Sequence, residues 1–137
     1  GDWLDHTIDR IVDLALLIAI GVNTAWITAP WLGWAAATMT LLGSYMGTQA
    51  QSVGLGRNYG GFSRADRLVT TFVGLFLGAI MAFQGTMDIA IPETIAELIK
   101  FDGINALSAV LVISLAGGIW TFLTRAASSR KQLLGGE

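Results

Sequence analysis

No charged residue occurs between Leu14 and Gly56, a run of 43 positions in a chain of 137. A helix crosses the hydrocarbon core of a bilayer in about 20 residues, so this run holds two crossings and the turn between them. The turn falls at Val22-Asn23-Thr24-Ala25-Trp26-Ile27-Thr28-Ala29-Pro30, where β-branched and polar residues lead into a proline. Trp26, Trp31 and Trp34 flank it, and indole rings favour the headgroup level. Two further uncharged stretches, Leu68 to Met87 and Gly103 to Thr124, are each close to the required length. The pattern predicts an all-α, polytopic transmembrane bundle with spans at roughly 3–23, 31–53, 68–86 and 103–124.

The composition closes the other routes. Charged residues make up 13% of the chain against about twice that in a soluble domain, and the mean hydropathy is +0.62. An apolar fraction of 53% excludes disorder. The length allows one domain, and the sequence has no internal repeat. With no cysteine there is neither a disulfide framework nor a thiolate site. A net charge of −2 provides no attraction for nucleic acid. The opening residues are acidic rather than basic, so no cleavable targeting peptide is expected.

Between the third and fourth spans, Asp88 to Asp102 predicts a short helix lying in the interface. Pro92 suits a first helical turn, and Ile95, Leu98 and Ile99 share a face opposite Glu93 and Glu97. The small-residue pairs Gly43/Gly47 and Gly74/Gly78 permit close helix contact in lipid. Four crossings bring the N-terminus, the 54–67 loop and the C-terminal tail to one side, with Arg10, Arg57, Arg64, Arg67, Arg125, Arg130 and Lys131. The opposite loop has only Lys100 among the basic residues. The bias in basic residues predicts that the first side is cytoplasmic, in an integral protein of the cell membrane.

The first span opens with Asp2, Asp5, Asp9 and Asp13, spaced by three, four and four residues, which stacks the carboxylates along one helical stripe. Like charges so arranged repel, by a few tenths of a kcal/mol per exposed pair and by more as the helix enters lipid. Either cytoplasmic arginines or a divalent cation must neutralise them. Carboxylates without cysteine suit a hard ion, Mg²⁺ or Mn²⁺. Asp2 and Asp5 are also read as solvated, with Asp2 aiding the helix N-terminus; Asp9 and Asp13 precede an almost purely apolar helix and are functional candidates. His6 is read as a surface or supporting residue rather than a ligand. Arg10 pairs with Asp13 or Asp9, or extends to the interface. The guanidinium groups of Arg57, Arg64 and Arg67 suit phosphate oxygens, with headgroup anchoring as the alternative for Arg57. Tyr45, Gln49 and Gln51 line a polar cavity or hydrogen-bond between helices.

Gly1-x-x-x-Asp5-x-x-x-Asp9 resembles the second half of the motif of the CDP-alcohol phosphatidyltransferase family, Asp-x-x-Asp-Gly-x-x-Ala-Arg followed after a short gap by Gly-x-x-x-Asp-x-x-x-Asp. Ser44-Tyr45 resembles the family's Ser-Tyr before a polar run, and Arg64-Ala65-Asp66-Arg67 resembles its Arg-x-Glu-Arg element after a glycine-rich loop. Asp-His-Thr-Ile-Asp-Arg and Met-Gly-Thr-Gln-Ala-Gln look like an archaeal-type branch. The match covers essentially the whole chain and corresponds to the last four of the family's six helices. The first half-motif is missing, which implies a longer reading frame and a chain not expected to catalyse alone. Thr48-Gln49-Ala50-Gln51 stands where many members have Ala-Arg-Ala-Glu, a loss of one positive charge that bears on the acceptor.

The resemblance implies transfer of a phosphatidyl-type group from a CDP-linked lipid (CDP-diacylglycerol or CDP-archaeol) to an alcohol acceptor, phosphorylated or not. CMP is released, as a step of phospholipid biosynthesis. It implies Asp5 and Asp9 as Mg²⁺ or Mn²⁺ ligands, Asp9 as catalytic base or as the group orienting the hydroxyl, and Gly1, Arg64 and Arg67 at the bound nucleotide lipid or acceptor. It further implies a homodimer. Asp13, outside the motif, is a further acid of the stripe or a buried partner of Arg10. Two other classes compete: a small cation-coupled membrane transporter, and a non-catalytic membrane scaffold. The acids cluster at one membrane face rather than the midplane, which disfavours transport.

Overall fold

A computed structural model of the chain describes residues 1–56, 60–85, 88–90, 92–94, 97 and 103–135. Four long helices are present among them: α1 (Asp2–Gly21), α2 (Trp31–Ser52), α3 (Arg64–Gln84) and α4 (Ala106–Leu134). A two-residue antiparallel pairing, β1 (Ile89–Ala90) with β2 (Gly103–Ile104), lies between α3 and α4. The architecture is all-α, as the hydropathy pattern predicts. The interfacial helix expected between the third and fourth spans falls largely outside the described residues, as does Arg57.

The helix ends follow local chemistry. Asn23 turns the chain after α1, its carbonyl accepting from the amides of Trp26 and Ile27, and Pro30 caps α2. Ser63 and Asp66 form a reciprocal capping box at the start of α3, and Asn105 with Ser108 forms another at α4. At its other end α3 stops at Gly85, whose φ of 72° is open to glycine without strain. The third helix thus begins four residues before the expected span and ends two before its expected limit, because caps rather than hydropathy set its ends. The fourth continues ten residues beyond Thr124 into the basic tail.

Successive helices run antiparallel. α2 packs on α1 and most extensively on α4, and α4 packs on α3. The core is built from Leu17, Ile20, Ile27, Leu32, Ala36, Ala37, Leu107, Val110 and Leu111. α1 and α2 cross where Gly21 faces Gly33; a Cβ on Gly21 would lie 2.6 Å from the Gly33 Cα. The small-residue pairs serve two different ends. Gly74 admits Val110 of α4 and Gly78 lies against Leu107, but Gly47 makes room for the guanidinium of Arg125.

Burial on α3 is the reverse of a soluble helix. Its buried residues are Arg67, Thr71, Gly74 and Gly78, one face at helical spacing. Val69, Phe72, Phe76, Ile80 and Phe83 point outward, Phe76 with 67% of its surface exposed. Apolar bulk outside and small or polar residues inside is the arrangement that an apolar solvent favours. α3 and α4 are long and apolar enough to cross a membrane. α1 carries too many acids, and α2 too many small and hydroxyl residues, for composition alone to mark them so.

Candidate functional site

The antiparallel order gathers the first half of α1, the end of α2, the 60–67 segment and the last part of α4 at one end of the bundle. There Asp5, Asp9 and Asp13 descend along α1 from exposed, through partly buried, to buried, Asp13 being 4% exposed. Repulsion along the stripe is relieved by arginines of α3. Arg64 Nη2 lies 2.8 Å from Asp9 Oδ1, and its Nε 3.4 Å from Asp13 Oδ1. Arg67 Nη2 lies 2.9 Å from Asp13 Oδ2 and its Nη1 donates to the Phe62 carbonyl at 3.1 Å. The capping box directs this geometry, because it fixes the first turn of α3, to which both arginines belong.

Arg10 is 3.9 Å from Asp13, so the pairing expected for it exists only as a long contact. Its Nη1 donates instead to Ser44 Oγ on α2, and that hydroxyl donates onward to the Thr40 carbonyl. Arg125 of α4 donates to the carbonyls of Gly43 at 2.8 Å and Gly60 at 3.3 Å. These bonds tie α1, α2, the 60–67 segment and α4 together around a cavity of about 660 Å³. Its described lining includes Arg10, Arg64, Arg67, Arg125, Ser44 and Tyr45, and contains no carboxylate. A size of that order suits a small ligand, and the charge of the wall suits an anion. Two buried donors on this wall, Arg67 Nε and Thr40 Oγ1, have no hydrogen-bond partner among the described residues. Unmade bonds of this kind are costly.

Arg64 thus bridges Asp9 and Asp13, and Arg67 shares Asp13 with it. Asp5, His6 and Asp9 form a second cluster at the rim of this network, with one ligand atom from each within 4.8 Å of the others. Two carboxylates and an imidazole are donors that could hold a divalent cation, although exposed acidic groups commonly cluster without one. A cation there would share Asp9 with Arg64. Gly1 caps α1, its carbonyl accepting from the Asp5 amide at 3.1 Å, and a Cβ on it would meet open space. Nothing among the described residues requires a glycine at that position.

Sequence reasoning missed Arg125 as a site residue and took it only as a positive charge flanking the fourth span. A signal was present: Gly118, Thr121 and Arg125 share one face of α4, a strip of small residues leading to a cation. Gly118 packs on Met39 and Thr40, and Thr121 accepts from the Phe62 amide at 2.7 Å, which carries Arg125 to the cavity. No known family model, curated protein or solved structure matches this chain.

Proposed function

We propose that this chain belongs to a membrane-embedded phosphotransferase of the CDP-alcohol phosphatidyltransferase type, spanning the bilayer four times with the charged end at the cytoplasmic face. It moves a phosphatidyl-type group from a CDP-linked lipid to an alcohol. The observation that carries this reading is the cavity wall: four arginines and no carboxylate among its described lining residues, beside a rim of carboxylates. Phosphate oxygens match the first feature and a metal-bridged diphosphate the second.

In the reaction the acceptor hydroxyl oxygen bonds to the lipid-side phosphorus, the bond from that phosphorus to the CMP oxygen breaks, and CMP leaves with the electron pair. Asp9 accepts the hydroxyl proton or orients the hydroxyl, and a general base of this kind contributes roughly 10²–10⁴-fold. A divalent cation held by Asp5 and Asp9 would bind the donor's diphosphate and stabilise charge on the leaving phosphate of CMP. Arg64 and Arg67 bind and orient phosphate oxygens, and Arg10 and Arg125 extend the cationic wall toward an acceptor that itself bears phosphate.

The test is CMP release from CDP-diacylglycerol or CDP-archaeol by the protein from its complete reading frame in vesicles. Release is expected to stop in chelator and to fall by about 10²-fold or more in Asp9→Asn. If no CMP forms while Asp9→Asn abolishes cation flux into liposomes, the chain is a transporter and the reading is wrong.

A further inference from the structure

Asp13 does not line the cavity, yet it governs how the wall is built. Its carboxylate faces inward from α1 and takes Arg67 Nη2 at 2.9 Å, Arg64 Nε at 3.4 Å and Arg10 Nη1 at 3.9 Å. Arg67 is 7% exposed; with Nη2 on Asp13 and Nη1 on the Phe62 carbonyl, its guanidinium plane is fixed and its buried Nε is left over. With Arg64 held at Nε, its Nη2 is directed to Asp9 at 2.8 Å. α1 and α3 pack mainly on other helices, so these bonds are the principal link between them among the described residues.

We propose that Asp13 is the positioning residue for phosphate recognition: it orients the guanidinium groups of Arg64 and Arg67 toward an oxyanion in the cavity without touching that ligand. The proposal rests on the phosphotransferase reading above. An arginine fork gains bidentate geometry on phosphate only when its plane is held, and an unrestrained side chain gives up rotamer entropy on every binding event. Coulomb's law makes a contrary demand. Removing a negative charge beside a cationic cavity would by itself strengthen anion binding. Positioning and bare electrostatics thus predict effects of opposite sign.

The experiment titrates inorganic phosphate, followed by phosphorus NMR, into the protein from its complete reading frame in nanodiscs of zwitterionic lipid. Wild-type protein binds, and Asp13→Asn binds about tenfold or more weakly, the loss of roughly one charge-assisted hydrogen bond. Asp13→Glu, which keeps the charge but moves the carboxylate by one methylene, weakens binding by a smaller factor. Repeating the titration in discs rich in anionic lipid tells whether a headgroup phosphate competes for the same fork, and the dependence on Asp13 is expected in both. Asp13→Asn binding phosphate as tightly as wild type, or more tightly, overturns the proposal, even if its melting temperature falls. Should Asp13→Asn not fold, unchanged affinity in Asp13→Glu overturns it equally. Absence of phosphate binding by wild type, or binding indifferent to Arg64→Gln and Arg67→Gln, removes the phosphate reading itself and this proposal with it.

Discussion

Where α1 ends and α2 begins, two glycines bring backbones into contact and Leu17, Ile20, Ile27 and Leu32 close around them. At the other end of the bundle α1 and α3 stand apart, bridged by carboxylates and guanidinium groups beside a cavity. The first end is held by close packing, whose energy depends on shape and short distances. The second is held by charges that lie partly or wholly out of water, where each one is expensive unless its partner is present. One end is built to stay shut. The other surrounds a cavity with arginines.

The contrast can be broken most forcefully at Arg67. Arg67→Met leaves Asp13 with longer contacts only, and is expected to cost about 3–5 kcal/mol in unfolding of the reconstituted protein, the usual penalty for orphaning a buried charge. Asp13→Asn in the same molecule should recover part of that loss, and a fully additive double variant would mean that the pair is not coupled. Next in size is the packed end. A Cβ on Gly33 would lie 2.7 Å from the Gly21 Cα and 2.9 Å from the Leu17 carbonyl, so Gly33→Ala forces the helices apart. The expected cost is about 1–3 kcal/mol in the same unfolding measurement, with phosphate binding at the far end unchanged.

The smallest effects sharpen the comparison through matched helix caps. Asn105 is buried, and besides capping α4 it donates to the Trp26 carbonyl and to Asp88, whereas Ser63 caps α3 in the open. Asn105→Ala is expected to cost near the upper end of the roughly 0.5–2 kcal/mol range for caps, and Ser63→Ala near the lower end. Equal losses in thermal denaturation would show that the two ends do not differ in the way their packing suggests. Ser63→Ala should nevertheless weaken phosphate binding more than Asn105→Ala does, since it loosens the turn carrying Arg64 and Arg67.

Much of this was legible in one dimension. Uncharged stretches mark the helices, because an uninterrupted apolar run of that length has few other uses. The four-residue spacing of Asp5, Asp9 and Asp13 requires a common stripe, and Arg64 and Arg67 on the adjoining loop-to-helix turn are the natural counter-charges. Arg10 and Arg125 were not legible as cavity residues. Which way a long side chain turns depends on which carbonyls and hydroxyls of other helices stand within reach, here Ser44, Gly43 and Gly60. Nor could spacing separate the two uses of glycine, at Gly74 to admit Val110 and at Gly47 to admit a guanidinium.

The order of residues by itself determined the helices, their caps and the alignment of acids on α1, since these depend on neighbours within a turn or two and on the solvent each segment tolerates. Only the tertiary structure decided which acid is buried, which arginine meets it and where donors remain unspent. Those outcomes follow from distances between helices far apart in the chain, and Coulomb and hydrogen-bond energies change steeply over an ångström.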